Sequence, residues 1–354
     1  METYIKNIID VVQKVFDNGT IYAVGGMCRD KLLGVEPHDY DFSTPLSPEE
    51  VEKAIKKSGR KVYGIGKRFG TLGFKVKDEN GTWQYVEVTT FRHEKYKSGS
   101  RKPVVSFVKD ITADLSRRDF TINAIAFRGS KVIDPFGGKE DLANKLIKAV
   151  GKPTHRFKED PLRMLRAGRF ASQLGFTIDE SVIKAVKQLN YKILQVSKER
   201  WMMELDKILM TNKPSKAFDF FMNTRLMNFM IPELALQYNY DQNSVYHDLT
   251  LWEHTKKALD ATPKDINLRW AILLHDVGKP FVRTDKYSEE GVWIKANYIK
   301  HDMVGEKLVI MLANYLKWSN ERTKVVANLV KNHLQDDSPL REYDMKGKKD
   351  ENKD

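Results

Sequence analysis

Cysteine is almost missing from this chain. Of 354 residues only Cys28 is a cysteine, which excludes an internal disulfide and fits a reducing, cytoplasmic compartment. Beside a Gly-Gly turn, with no paired nucleophile constellation around it, Cys28 reads as a small buried residue. Long apolar runs are missing too. None approaches the ~18 residues of a membrane span, so no membrane partner is expected. Glu2 and the spacing Ile5, Ile8, Val11, Val15 mark the start as an amphipathic helix and not a signal peptide. Internal repeats are absent. Acidic residues are in deficit, with 48 Asp and Glu against 60 Lys and Arg, for a net charge of +12 and a pI near 9.4. That balance points to a polyanionic partner, nucleic acid first; because the excess is spread along the chain, a merely basic protein fits it as well.

What is present divides the chain in two. Up to about residue 150 short strands and helices alternate, with strands expected at 20–24, 39–43, 61–64, 72–77, 84–91, 104–108 and 131–134 and turns at Gly59, Gly81 and Gly137-Gly138. After Lys152-Pro153 strand signals nearly vanish and apolar residues recur three and four apart. The fold class expected is α+β: a head with a mixed or antiparallel sheet, then an all-α neck and body. Boundaries fall near 150, 210 and 240, and beyond Leu334 the sequence turns polar and reads as a frayed tail.

The chemistry concentrates first at Asp39-Tyr40-Asp41-Phe42, downstream of Val24-Gly25-Gly26-Met27-Cys28-Arg29-Asp30. Residues two apart on a strand share a side, so Asp39 and Asp41 converge, and divalent cations would satisfy both. Magnesium takes oxygen ligands and is usually held by one or two carboxylates plus substrate phosphates. A Gly-Gly turn between strand and helix lets backbone N–H groups approach an anion. The combination suggests nucleotidyl transfer. Glu87 adds a third carboxylate: Val86 and Val88 take one face of its strand, Tyr85, Glu87 and Thr89 the other. A Glu there needs a metal, an Arg or water as partner.

Other clusters follow. Arg117-Arg118-Asp119 stands before an expected apolar helix, with Asp119 as cap and the arginines reaching phosphates. In Glu159-Asp160-Pro161-Leu162-Arg163, Pro161 fits the first helical position and Asp160 the N-cap. Arg163, Arg166 and Arg169 then form a stripe, either a solvated basic face or a ligand surface. Cytosine and adenine both present an amino donor beside a ring-nitrogen acceptor. Asp160 can accept from the first and Arg163 donate to the second, leaving Arg166 and Arg169 for phosphates. His247, His254, His275-Asp276, His301-Asp302 and His333 crowd the last third, and imidazole with carboxylate suits a divalent ion. His254, His275, Asp276 and His301 are the candidate ligands of that site.

Together these segments resemble the class II tRNA nucleotidyltransferases, the CCA-adding enzymes of the polymerase β superfamily, and their poly(A) polymerase relatives, from about Tyr22 to His333. The resemblance implies a nucleotidyltransferase head at 1–150, a helical neck at 151–240 carrying an amino-acid template for the base, an HD-like body at 241–340 and a polar tail at 341–354. It implies that Gly25, Gly26, Arg29 and Arg118 bind nucleotide, that Asp39 and Asp41 hold two magnesium ions with Glu87 assisting, and that Asp160 and Arg163 read the base with Arg166 and Arg169 following. Asp134-Pro-Phe-Gly-Gly138 resembles a head–neck hinge, and Ser197-Lys-Glu199-Arg200 a brace for the template helix. The segment from Phe91 through Arg101-Lys-Pro-Val-Val resembles the loop that switches addition from C to A. The implied partners are tRNA, CTP and ATP, with a further divalent metal in the HD-like part. Poly(A) polymerase and a metal phosphohydrolase are the rival readings. Because the chain stops soon after His333, the resemblance does not carry over contacts to the tRNA elbow, and the last metal aspartate of HD hydrolases, and with it phosphohydrolase activity, is not expected.

Overall fold

The computed structural model describes residues 2–16, 19–37, 39–95, 104–243 and 249–348. Two compact units divide at Asp160 and Pro161. The head expected at 1–150 lies within the first unit, and the neck and body expected at 151–240 and 241–340 lie almost wholly within the second.

The first unit runs α1 (Glu2–Val15), β1 (Tyr22–Val24), α2 (Gly26–Leu32), β2 (Tyr40–Thr44), α3 (Pro48–Lys57), β3 (Tyr63–Gly66), β4 (Thr71–Lys77), β5 (Trp83–Thr90), β6 (Arg92–Lys95), β7 (Val104–Phe107), α4 (Ile111–Ser116), β8 (Ala126–Arg128), β9 (Lys131–Ile133), α5 (Gly138–Ala143), β10 (Leu146–Ile147) and α6 (Pro153–Glu159). Seven strands form one sheet in the order β3-β4-β5-β2-β1-β8-β9. It is mixed, since β2 and β5 run parallel while their other partners are antiparallel. Alternation sets the faces. Val86 and Val88 are buried, while Trp83, Tyr85 and Glu87 are exposed. The buried face is covered by α1 through Ile8, Val12 and Phe16, whose ring lies 6.4 Å from Phe74. It is also covered by α3, which starts in a capping box of Ser47 and Glu50 and buries Val51 and Ile55.

One expectation fails here. The apolar run after Asp119 is a single 3-10 turn, Thr121–Asn123, leading into β8. Ile122, Ala124, Ile125 and Ala126 are all buried, so this run is apolar because it crosses the core, which periodicity cannot distinguish from a helix.

The second unit continues with α7 (Leu162–Leu174), β11 (Thr177–Ile178), α8 (Glu180–Leu189), α9 (Lys198–Leu209), α10 (Ser215–Asn223), α11 (Met227–Met230), α12 (Pro232–Ala235), α13 (Leu251–Ala261), α14 (Ile266–Leu274), α15 (Lys279–Val282), β12 (Thr284–Tyr287), β13 (Trp293–Asn297), α16 (His301–Leu316), α17 (Asn320–Lys331) and α18 (Arg341–Lys348). Helix α9 ties its two halves together. Asp206 accepts from Trp270 Nε1 at 2.8 Å and from Arg322 at 2.9 Å, and Lys198 lies over the rings of Trp201 and Tyr315. Two features differ from the sequence reading. Strands β12 and β13 form an antiparallel hairpin in a region expected to be helical, and residues 341–348 of the expected tail are helical. No helix among the described residues is long and apolar enough to cross a membrane.

Candidate active site and metal centre

In the head, Asp41 on β2 stands directly opposite Glu87 on β5 in register, so both side chains leave the same face. Asp39 is exposed one residue before β2. Burial, with Arg118 opposing and Glu87 and Asp39 adding repulsion, pushes Asp41 up to about 6. This concentration of negative charge is what a divalent cation would relieve.

The Gly-Gly turn lies beside it. Gly25 has φ 72° and ψ −135°, a region open to glycine and to little else. An added Cβ would sit 2.7 Å from Arg118 Nη1 and 3.8 Å from Asp41 Oδ2. Arg118 therefore lies across the turn next to the carboxylate, and its buried Nε has no hydrogen-bond partner. Arg29 is buried and oriented by two acceptors, Asp30 Oδ1 at 2.8 Å from Nε and Asn123 Oδ1 at 2.9 Å from Nη1. Asn123 is held in turn by Asp119 Oδ1 at 3.1 Å. Asp119 thus positions Arg29 through Asn123. The adjacent arginines also divide: Arg117 binds Asp114 and Glu94, which fastens α4 to β6, and only Arg118 faces the turn.

The hinge-like segment is a cap: Asp134 accepts from Gly138 N at 2.7 Å and Lys139 N at 2.8 Å. Gly138 is required there because a Cβ would meet Thr121 O at 2.2 Å. The ends of the switching loop expected from Phe91 through Val105 are strands, β6 and β7 pairing from Arg92↔Phe107 to Lys95↔Val104, and residues 96–103 lie outside the described residues.

Asp160 ends the first unit as the extended C-cap of α6, and the cap position of α7 falls on Pro161, one residue after the Asp160 expected from the sequence. In the second unit Arg163 is buried in the first turn of α7. Arg169 Nε donates to Glu204 Oε2 at 2.7 Å, and Arg166 lies 3.7 Å from Glu204 Oε1. Both stack on Phe170. The brace on this stripe includes Glu204 of α9, whereas Glu199 pairs with Lys317.

Farther along the second unit, two groups of ligand-type atoms converge: His254, His275, Asp276 and Asp344, and Asp276, His301 and His333. His254 Nε2 lies 3.0 Å from His275 Nε2 and 3.0 Å from Asp344 Oδ1. Asp276 faces both groups, with Oδ2 3.2 Å from His275 Nε2 and Oδ1 3.3 Å from His301 Nε2. Backbone carbonyls of Ile272, Tyr298 and Val330 stand at 2.6–2.7 Å from Nδ1 of His275, His301 and His333. That contact fixes the tautomer and aims each Nε2 inward, as for metal-binding imidazoles. Burial alone would lower His275, but Asp276 and Asp344 hold it up at about 9. His333, with burial and the charged His275 against it, is lowered to about 4. Lys279 Nζ reaches Asp276 Oδ2 at 2.7 Å.

A carboxylate beyond His333 does reach the histidines, where the sequence reading expected none. Asp344 of α18 supplies a carboxylate to the first group, and α18 approaches α13 closely enough that a Cβ on Gly347 would meet His254 Nδ1 at 2.7 Å. Among the candidate ligands the sequence reading left out His333 and Asp344. Amphipathy in Arg341–Lys348, with Leu340 and Asp344 buried, is the only local signal for the latter. His247 lies outside the described residues.

Comparisons with known proteins agree in all three regions. The family profile "Poly A polymerase head domain" matches residues 21–148, "Probable RNA and SrmB-binding site of polymerase A" residues 175–237, and "HD domain" residues 245–352. A CCA-adding enzyme of Pediococcus pentosaceus is 36% identical over 265 residues, 72% of this chain and 65% of the relative. One from Geobacillus sp. is 40% identical over 233 residues, 65% of this chain and 55% of the relative. The chain thus spans less than two thirds of the length of these curated relatives. A crystal structure of the Bacillus stearothermophilus CCA-adding enzyme in complex with CTP superposes with TM-score 0.62 at 27% identity, covering 97% of this chain and 80% of the other. A Thermotoga maritima CCA-adding enzyme complexed with tRNA, at TM-score 0.60, 21% identity and coverage of 96% and 82%, shares the fold.

Proposed function

Because the chain belongs to the family that unites CCA-adding enzymes with poly(A) polymerase head domains, we propose that it is a template-independent tRNA nucleotidyltransferase adding C, C and A to tRNA 3′ ends from CTP and ATP. The observation that carries this reading is the register of Asp41 against Glu87 beside a Gly25 turn crossed by Arg118. Asp39 and Asp41 would hold two magnesium ions, with Glu87 as a further ligand or as the group that orients the attacking hydroxyl. Magnesium bound there lowers the pKa of the terminal 3′-hydroxyl and neutralises charge on the triphosphate and departing pyrophosphate.

The chain's own groups do the rest. Gly25 and Gly26 leave room for the triphosphate to approach the backbone, and the orphaned Nε of Arg118 supplies a donor for it. Arg29, held by Asp30 and Asn123, presents a fixed cation at the same turn. Asp160 accepts from the amino group of cytosine or adenine, and Arg163 donates to the ring nitrogen; uracil and guanine offer the opposite order and are refused. Arg166 and Arg169, braced by Glu204, keep the reading helix in place and add positive charge for phosphate. The segment from Phe91 through Arg101-Lys-Pro-Val-Val switches addition from C to A. The basic helical unit grips the tRNA acceptor stem through its phosphates, a salt-sensitive mode. A cytoplasmic location goes with this reading because the substrate is tRNA.

Incubating the purified chain with tRNA lacking its 3′ end and each labelled NTP separately tests the proposal. C and A incorporation limited to the CCA end supports it. Long A tracts would indicate a poly(A) polymerase instead.

A second activity is favoured by one observation: Asp344 completes a four-residue ligand group with His254, His275 and Asp276. We propose that these residues, with His301 and His333 around the other oxygen of Asp276, hold divalent metal and cleave phosphoesters. Release of phosphate from a nucleoside monophosphate, or opening of a nucleoside 2′,3′-cyclic phosphate to its monoester, abolished by chelation, tests it.

A further inference from the structure

The face that carries Asp41 and Glu87 does not end at them. One cross-strand row runs Asp41, Glu87, Gly73, Tyr63 from β2 to the sheet edge, and the next two rows pair Lys75 with Tyr85 and Lys77 with Trp83. Side chains opposite one another share a face, so aromatic rings and lysines lie side by side here. Trp83 is 59% exposed and Tyr85 38%. Such exposure of large rings on a lone sheet face wants an explanation.

The rings are arranged, not scattered. Tyr85 lies across β4 over Gly73, where a Cβ would come within 2.0 Å of its Oη, and meets Tyr63 at 5.9 Å between centroids in an edge-on contact. Lys61 Nζ stands 5.5 Å from the Tyr63 ring and Lys77 Nζ 5.1 Å from Trp83. Where β3 ends, the uncovered edge of β4 opens a groove of about 750 Å³ lined by Arg60, Lys61, Tyr63, Lys75, Lys77 and Trp83. Among the described residues none of Arg60, Lys61, Lys75 and Lys77 takes part in an ion pair, whereas the nearby Lys56 and Lys67 are both neutralised by Glu52. Unpaired lysines alternating with exposed rings form a platform on which bases stack while phosphates meet cations, and this tolerates any sequence because every base has a π-face. A duplex has no free base faces to offer such rings.

We propose that this surface, from Tyr85 to the groove at Trp83, binds single-stranded RNA. It lies outside the residues assigned to catalysis and base choice, and the inference does not rest on them: a chain that adds no nucleotide could still bind RNA here.

The test uses the full chain with fluorescein-labelled 12-nucleotide oligo(A) and oligo(C) RNA, followed by anisotropy, and with a 5-iodouridine-containing RNA for photocross-linking. A cross-link in the peptide carrying Trp83 or Tyr85 is expected in the wild type. Trp83→Ala should weaken binding about tenfold, with recovery in Trp83→Phe. The triple variant Lys61→Ala, Lys75→Ala, Lys77→Ala should make the slope of log affinity against log salt shallower by about 2, from roughly 0.7 per phosphate contact. These side chains are exposed, so melting temperatures should stay at the wild-type value. The wild-type cross-link decides the matter by itself if a variant fails to fold. Unchanged affinity and salt slope, with no cross-link in that peptide, would overturn the proposal and leave the face to a protein partner or to none.

Discussion

Replacing Gly25 by alanine probes the site where backbone, cation and carboxylate meet. Two costs can be separated. At φ 72° and ψ −135° a residue with a Cβ is strained by about 1–3 kcal/mol. In a unit of this size that lowers the melting temperature by about 2–4 °C per kcal/mol. The second cost falls on Arg118, because the new methyl would sit 2.7 Å from its Nη1 and must push the guanidinium away from Asp41. Gly25→Ala should therefore melt several degrees lower and lose at least about tenfold in kcat/KM for CTP, the scale of one lost charged hydrogen bond. Gly26→Ala is the internal control, since its Cβ would meet only Arg29 Nη2 at an ordinary 3.6 Å and its φ is not positive. It should leave the melting temperature near the wild-type value, which isolates the backbone strain at Gly25. Adding Arg118→Ala to Gly25→Ala should leave the melting loss in place, because backbone strain is independent of the guanidinium, and should cost little further activity. Differential scanning calorimetry and steady-state addition of a single C provide the two readouts. A Gly25→Ala variant that melts within about 1 °C of wild type and adds C at the wild-type rate would refute the reading of this turn.

Asp41 is raised from 3.8 to about 6, so between those values the folded state binds more protons than the unfolded chain. Without metal, stability should fall as pH rises through that window. Asp41→Asn should flatten the curve in a pH series of denaturant melts and abolish nucleotide addition while tRNA binding survives. Asp160→Ala should raise UTP relative to CTP by roughly 5- to 150-fold, read as the ratio of specificity constants. An unchanged ratio with a melting loss near ~1 kcal/mol would mean that Asp160 is only a helix cap. Asp344→Ala should reduce divalent metal retained after dialysis, counted by elemental analysis, and leave CCA addition within about tenfold. A larger loss of addition in a well-folded variant would show that the two sites are coupled.

Much of the head was legible because its signals are local. The Asp39 and Asp41 pair, the Gly25-Gly26 turn and the alternation around Glu87 each state their geometry within a few residues, and the period of two placed Glu87 and Val88 on opposite faces as observed. The expected helix after Asp119 was the failure of the same method. Thr121 to Ala126 is buried on every side, so its apolar run carries no period to read.

Long-range placement was decided by tertiary structure alone. The difference in role between Arg117 and Arg118 follows from Glu94 of β6 claiming the Arg117 guanidinium while Asp114 lies near both, and no spacing announces Glu94. The ligand groups at His254 and His333 are drawn together from five helices and their ends, and Asp344 arrives from 90 residues along the chain from His254. Composition marked that stretch as a polar tail. Packing of α18 against α13 through Gly347 turned it into one wall of the candidate ligand group. Local chemistry named the residue types, and only the closure of distant segments onto one another determined which of them share a site, because such contacts depend on the fold of the whole unit and not on any window of sequence.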